Sequence, residues 1–398
     1  MAASLAGNEP LRETDWEQIL RTRDCRSESS RVMSIQDQVS EQKGRRAAQR
    51  ERPSLAASTL RLVKRLGLTY IDTAALTIRR QRHGRGFRYL AASGKTVGAA
   101  ETKRLAALAV PPAYDDVLYA ADPMAHIQAI GRDAAGRLQY RYHPEWQRVR
   151  ETRKARRLAR LAEALPTIRR SISQHLAGQE PTRSFTLSAI IELVVRSAIR
   201  PGTEQYAKLR GTRGAATLLK SNVAVYGETV KLRFRAKGAK QIDKEVHAPR
   251  LATAIEMLKQ LPGRRLFQYR TAAGELRAAS AHDVNLFLRE IAGVEISLKD
   301  FRTLLASVSV LEALARAEPA TSKRARNRQI LDAICEAAAE LGNTPAICRK
   351  SYVHETVVNA FEDGALERFA ETLRASRSTA RREQILAEVA AQIGDPAA

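Results

Sequence analysis

The chain has 398 residues, 44% of them hydrophobic, which is enough for two domains with cores of their own. Lys and Arg number 67 against 43 Asp and Glu, a formal charge of +24, so the surface attracts polyanions, of which nucleic acid is the commonest. No apolar run approaches the roughly 20 residues of a membrane span, Met1–Trp16 shows no secretory pattern, and three scattered cysteines (Cys25, Cys335, Cys348) exclude a disulfide scaffold or zinc ribbon and fit a reducing compartment.

Residues 1–54 are polar, mixed in charge and weakly periodic, and read as a basic, disordered tail with a short helix around Asp15–Thr22. Residues 55–146 read as a small strand-rich domain. Helical spacing covers Thr59–Leu66, a strand is predicted at Gly86–Leu90 and a turn at Ala92–Lys95. A helix over Glu101–Ala109 is stopped by Pro111 and Pro112, and short strands follow at Val117–Tyr119, Ile127–Ile130 and Leu138–Tyr142. Within this domain Arg79, Arg80, Arg82, Arg85 and Arg88 form the densest basic stretch of the chain, suited to phosphates rather than to bases. Tyr140 and Tyr142 stand two apart on one strand and therefore share a face. That face suits either a DNA groove or the domain core, with Gln139 and Arg141 on the other side or near phosphates.

Residues 147–398 read as a larger, mainly helical domain. Gln147–Leu165 is a charged helical connector, and Leu187–Arg200 is a helix with apolar Ile190, Ile191, Val194, Val195 and Ala198 on one side. A β-hairpin region covers Ala216–Val225, Val230–Arg235 and Lys244–His247, with turns at Gly227 and Lys237–Lys240; from Leu251 onward the pattern is helical. The fold class is therefore α+β, a small strand-rich N-terminal domain followed by a larger helical domain with a β-hairpin region.

No nucleotide or metal motif is visible. Gly84-Arg-Gly86 lacks the spacing and the Lys-Ser/Thr of a phosphate loop, and the seven histidines are scattered, so no metal and no other cofactor is expected. Phosphoryl transfer by side chains alone needs a nucleophile, cations for the developing charge, and an acid for the leaving oxygen. Arg200 at a helix end, Lys237 in a turn, Arg302 in a helix and Tyr352 after a basic run are of the right types. Each alone has an ordinary explanation in helix-end electrostatics, turn chemistry or aromatic packing.

Their surroundings carry more. The segment Leu341-Gly-Asn-Thr-Pro-Ala-Ile-Cys-Arg-Lys-Ser-Tyr-Val-His354 resembles the tyrosine segment of bacterial, poxvirus-like type IB DNA topoisomerases. Five further segments are similar in order: Arg79–Phe87, Gly131–Pro144, Ile199–Tyr206, Arg233–Gly238 and Lys299–Thr303. The resemblance implies that Tyr352 attacks a phosphodiester of duplex DNA and forms a 3′-phosphotyrosyl link. It implies that Arg200 and Arg302 hold the nonbridging oxygens and that Lys237 protonates the leaving 5′ oxygen. Religation then needs no ATP and no required metal, and rotation of the free strand relaxes supercoils of either sign. It further implies a monomer that closes on DNA as a C-shaped clamp, with the Gln-Tyr-x-Tyr element against the duplex, in the cytoplasm and associated with the nucleoid. Two positions depart from the pattern. Asn343 stands where many members have His, and can donate a hydrogen bond but carry no charge; Arg302 is followed by Thr303-Leu-Leu305 rather than by an aromatic and small residues. Two other readings share the basic charge: a tyrosine site-specific recombinase, which usually has HxxR where this chain has Lys299-Asp-Phe-Arg302, and a non-catalytic DNA-binding architectural protein.

Overall fold

A computed structural model describes residues 57–376 and 378–393. The expected basic tail and its Asp15–Thr22 helix lie outside them. Within the described residues a first helix, α1 (Ala57–Arg65), leads into five antiparallel strands in the spatial order β2-β1-β3-β4-β5. Their ranges are β1 Leu76–His83, β2 Gly86–Leu90, β3 Asp115–Ala120, β4 Ile127–Arg132 and β5 Leu138–Tyr142. Alternation sorts their side chains onto two faces, and irregular pairing between Leu76 and Ile78 and between Ile127 and Ala129 turns the members of those two pairs to opposite faces. Ile78, Tyr89, Val117, Tyr119 and Ala129 pack under Leu105 of α2 (Ala99–Ala107). Leu76, Ala120, Ile127 and Ile130 point the other way, and Tyr140 packs on them. Strand β1 was not expected, because only Leu76 and Ile78 alternate before the arginines begin; pairing with both β2 and β3 forms it.

Helix α3 spans Trp146–Leu176 and so continues well past the expected end at Leu165. Pro166 removes one intrahelical hydrogen bond, typically a cost of ~3 kcal/mol. The buried residues Leu158, Leu161, Leu165, Ile168, Ile172 and Leu176 continue across it and hold the helix in the large core. Helix α4 (Arg183–Ser197) is nearly buried throughout and ends at Ala198, which is left-handed with φ of 55°. A short α5 (Glu204–Arg210) follows.

The second sheet is β6 (Val223–Tyr226), β7 (Thr229–Arg235) and β8 (Gln241–His247), antiparallel in that order. Expected as strand from Ala216, the chain is instead two 3-10 turns before Val223, one of them closed by the Asn222 carboxamide accepting from the Leu219 N–H. Beyond α6 (Pro249–Lys259) the expected all-helical stretch contains a two-strand hairpin, β9 (Gln268–Arg270) and β10 (Leu276–Ala278), too short to show an alternating pattern. Helices α7 (Ala281–Ala292), α8 (Leu298–Arg316), α9 (Lys323–Leu341), α10 (Pro345–Ser351), α11 (Glu355–Glu362), α12 (Glu367–Ala375) and α13 (Thr379–Ile393) complete the chain. The residues after Arg302 fit without difficulty: Thr303 and Leu304 are buried, and Leu305 packs against the core.

Candidate active site

Tyr352 stands at the C-terminal end of α10. That helix starts where Thr344 caps it, its side chain accepting from the Ile347 N–H, with Pro345 in the first turn, where a missing N–H costs nothing. The Tyr352 N–H still donates to the Cys348 carbonyl at 2.9 Å. Its carbonyl accepts from the Ser307 hydroxyl of α8 at 3.2 Å, and the same hydroxyl accepts from the His354 N–H at 3.1 Å. The next carbonyl, of Val353, accepts from Lys154 of α3 at 2.8 Å. The main chain around the tyrosine is thus tied to two helices distant in sequence.

Arg302 lies in the first turns of α8, where Ser297 and Asp300 form a capping box. Its residue is only 1% exposed. One amino group donates to the Leu341 carbonyl at 3.1 Å, and the guanidinium carbon lies 4.9 Å from the centre of the Tyr352 ring. Its Nε and Nη1 are buried without a hydrogen-bond partner among the described residues. Arg200 follows α4 and donates to the Asn343 side-chain oxygen, leaving the Asn343 Nδ2 buried and unpartnered. A buried donor with no acceptor typically costs about 1–3 kcal/mol. Two such donors belong to Arg302 beside the Tyr352 ring and a third to Asn343, bonded to the Arg200 whose charge reaches the same phenol, and an anionic oxygen is the kind of group that satisfies such donors.

Burial alone would raise the Tyr352 phenol, but the charges of Arg302, Arg200 and Lys299 outweigh it and bring its pKa below the usual tyrosine value. Burial pushes Arg302 itself down from its ordinary range, opposed by Tyr352. Sequence reasoning passed over two cations here. Lys299 is one helical turn before Arg302, a spacing that could have disclosed it. Lys244 of β8 donates to the carbonyls of Ser197 at 2.7 Å and Glu340 at 2.5 Å, and burial, with the charge of Arg302, pushes its pKa down; no sequence signal marks it.

The structure therefore brings together Tyr352, Arg302, Arg200 and Asn343. Lys237 stays apart: it is exposed in the tight turn between β7 and β8, where Gly238 has φ of 79°, and its ammonium lies 5.7 Å from the ring centre of Tyr206. Among the other expected contacts, Arg79, Arg82, Arg85 and Arg88 are exposed on the β1–β2 hairpin. Arg80 differs, since its guanidinium donates to the carbonyls of Val110, Pro111 and Tyr114 at 2.7–3.0 Å and fastens that loop. Arg141 is likewise engaged with the carbonyls of Leu108 and Ala109, and Gln139 donates to Asp133 at 2.9 Å. Tyr140 and Tyr142 do share a face, stacked with ring centres 5.9 Å apart; Tyr140 is half-buried and Tyr142 is exposed.

With this geometry in view, comparison with known families is decisive. Residues 143–379 match the family described as eukaryotic DNA topoisomerase I, catalytic core, and residues 86–133 match the bacterial DNA topoisomerase IB N-terminal domain. The chain belongs to the type IB DNA topoisomerases. It is similar to the DNA topoisomerase 1B of Acanthamoeba polyphaga mimivirus, 27% identical over 278 residues that cover 68% of this chain and 83% of that protein. The topoisomerase is an isomerase that binds DNA and relaxes supercoils by the type IB route of transient single-strand breakage. These matches do not favour the recombinase or the architectural reading. No helix among the described residues of the topoisomerase is long and apolar enough to cross a membrane.

Proposed function

We propose that Tyr352 is the nucleophile of this topoisomerase and that Arg302, Arg200 and Asn343 receive the nonbridging oxygens of the scissile phosphate. The carrying observation is that Arg302, whose Nε and Nη1 are buried and unpartnered, lies 4.9 Å from the centre of the Tyr352 ring, while Arg200, which donates to Asn343, adds its charge to the same phenol. The phenol oxygen bonds to phosphorus as it gives up its proton to solvent, while the bond from phosphorus to the 5′ oxygen breaks. Lys237 hands a proton to that leaving oxygen. Negative charge builds on the two nonbridging oxygens, where guanidinium donors held in a dry site act most strongly. The product is a 3′-phosphotyrosyl link and a free 5′-hydroxyl. The link keeps the energy of the phosphodiester, so the reverse attack reseals the strand without ATP or metal.

Lys237 is exposed on a hairpin turn, so in this reading duplex binding swings the turn inward and carries its ammonium to the scissile bond. Arg79, Arg82, Arg85 and Arg88 meet phosphates and the Tyr142 face meets the groove, while the two domains, 55–146 and 147–398, close on the duplex as a C-shaped clamp. The enzyme works as a monomer without a cofactor, associated with the nucleoid.

The test is a covalent adduct. Protein incubated with nicked-product suicide duplex and quenched in detergent should yield a protein–DNA band that Tyr352→Phe abolishes. Lys237→Ala should slow adduct formation while duplex affinity holds. Persistence of the band in Tyr352→Phe would remove the assignment, and loss of relaxation in a chelator would count against the metal-free chemistry.

A further inference from the structure

The Lys154 contact to the tyrosine segment has no part in the chemistry above. Lys154 lies on α3, and its ammonium donates to the carbonyl of Val353, the residue after Tyr352, from 199 positions away. Its side chain is only 18% exposed. A lysine gives up hydration to sit there, and a single carbonyl is weak compensation by itself. It is held by Glu151 at 2.9 Å, one helical turn earlier, and the other carboxylate oxygen of Glu151 accepts from Gln147 at 2.8 Å. Gln147, Glu151 and Lys154 thus form a polar line along one side of α3 that ends on the main chain of the tyrosine segment.

The same helix begins in the strand domain. Trp146, its first residue, stacks on Tyr142 of β5 with ring centres 6.1 Å apart and 19° between planes. It also packs on His126 at 4.5 Å, and His126 stacks on Tyr70 at 4.3 Å. Trp146 and Lys154 are separated by about 12 Å of continuous helix at ~1.5 Å per residue. Beside the Lys154 contact lies a cavity of about 140 Å³ lined by Gln147, Glu151, Lys154, Arg349, Lys350 and Val353.

We propose that Lys154 is a positioning residue for Tyr352, linking the aromatic β5 face of the strand domain, through α3, to the placement of the nucleophile. Duplex seated against Tyr142 fixes Trp146 and with it the register of α3; Lys154 then holds the Val353 carbonyl and sets the direction in which the Tyr352 ring leaves the main chain. The proposal rests on Tyr352 as the nucleophile. A positional error near 1 Å at a reacting group is enough to slow a reaction by orders of magnitude.

Lys154→Met keeps the aliphatic stem and removes the donor. In single-turnover cleavage of a saturating suicide duplex, it should lower the rate about ten-fold or more. Duplex affinity, measured by equilibrium binding in a Tyr352→Phe background, should stay at the parent value, and Lys154→Arg should restore the rate. Trp146→Leu combined with Lys154→Met should be no slower than the slower single variant, since both break one connection. If Lys154→Met does not fold, the pair Glu151→Ala with Lys154→Ala removes both charges together and carries the same expectation. Cleavage at the parent rate, a parallel loss of affinity, or failure of Arg to rescue would each overturn the proposal. Tyr352→Phe in the same assay separates the two levels: an adduct that survives it removes the nucleophile assignment, whereas its loss beside an unaffected Lys154→Met removes only the link.

Discussion

At the residue scale, the tyrosine is poised by a contest between burial and neighbouring charge. Burial opposes ionisation of Tyr352, and the cations Arg302, Arg200 and Lys299 win, so its pKa lies below the usual value. Lys299 is exposed, which makes it the one of the three that can be neutralised without leaving a buried cavity. Lys299→Gln should therefore raise the Tyr352 pKa and move the rising limb of the cleavage pH profile to higher pH; an unmoved limb would show that Lys299 charge does not reach the phenol. His354 makes the opposite kind of prediction, about stability. Burial, helped by the charge of Lys154, pushes its pKa from 6.5 down to about 4. Its Nδ1 accepts from the Thr356 N–H at 3.2 Å and so caps α11 in the neutral form. Below pH 6.5 the unfolded chain takes up a proton that the folded chain refuses, so stability falls as pH drops toward 4. At ~1.36 kcal/mol per pH unit, the loss amounts to about 3 kcal/mol. Denaturant midpoints measured across that range should show a steep acid limb, and His354→Gln should flatten it.

At the scale of elements, Arg200 depends on two glycines rather than on its own helix. Past the left-handed Ala198 the chain runs through Gly202, with φ of 79°, against Gly214. A Cβ on Gly214 would fall 2.5 Å from the Arg200 carbonyl oxygen and 2.6 Å from the Gly202 Cα, both backbone atoms with little freedom to yield. The two strands of this loop are pinned by the Ala215 N–H to the Arg200 carbonyl and the Ala216 N–H to the Pro201 carbonyl, each at 2.8 Å. Gly214→Ala should cost about 1–3 kcal/mol of stability. It should also slow cleavage by roughly a hundred-fold, because the displaced group is the guanidinium itself. Thermal melting and single-turnover cleavage measure the two effects separately, and cleavage at the parent rate would show that Arg200 is placed by other contacts. The same loop marks the limit of what the sequence discloses. Alternation and breakers reveal β2 to β5, β7 and α2, because each is short, local and bounded by Gly or Pro. They miss β1, whose partners supply the order, and they stop α3 at Pro166, where a buried stripe overrides a local break. The residue types of the site are legible singly, and their grouping is not. Arg200, Arg302 and Tyr352 lie some 50 to 150 positions apart, and nothing in periodicity says that α4, α8 and α10 converge; the resemblance of ordered segments supplied that grouping, and the packing explains it.

At the scale of the whole molecule, the charge of +24 acts at long range and the site acts at contact distance, so the two should be separable by experiment. The β1–β2 hairpin presents Arg79, Arg82 and Arg85 as exposed side chains, whereas Arg80 is spent on the 110–114 loop and Arg302 is buried. Each arginine that neutralises a phosphate releases condensed counterions and contributes about 0.9 to the slope of log affinity against log salt. Replacing Arg79, Arg82 and Arg85 together by alanine should then reduce that slope by roughly 2.7 and weaken binding to any duplex alike. Once duplex is saturating, the cleavage rate should be that of the parent, because in the proposed reading the three meet phosphates other than the one under attack. Adding Arg80→Ala should behave differently: it removes the guanidinium that donates to three carbonyls and loosens the loop that packs beside α2, so melting temperature falls with little further change in the salt slope. A triple variant whose salt slope stays at the parent value would place the phosphate track on another face of the molecule, and a fall in the saturated cleavage rate would mean that the hairpin arginines reach the reacting phosphate after all.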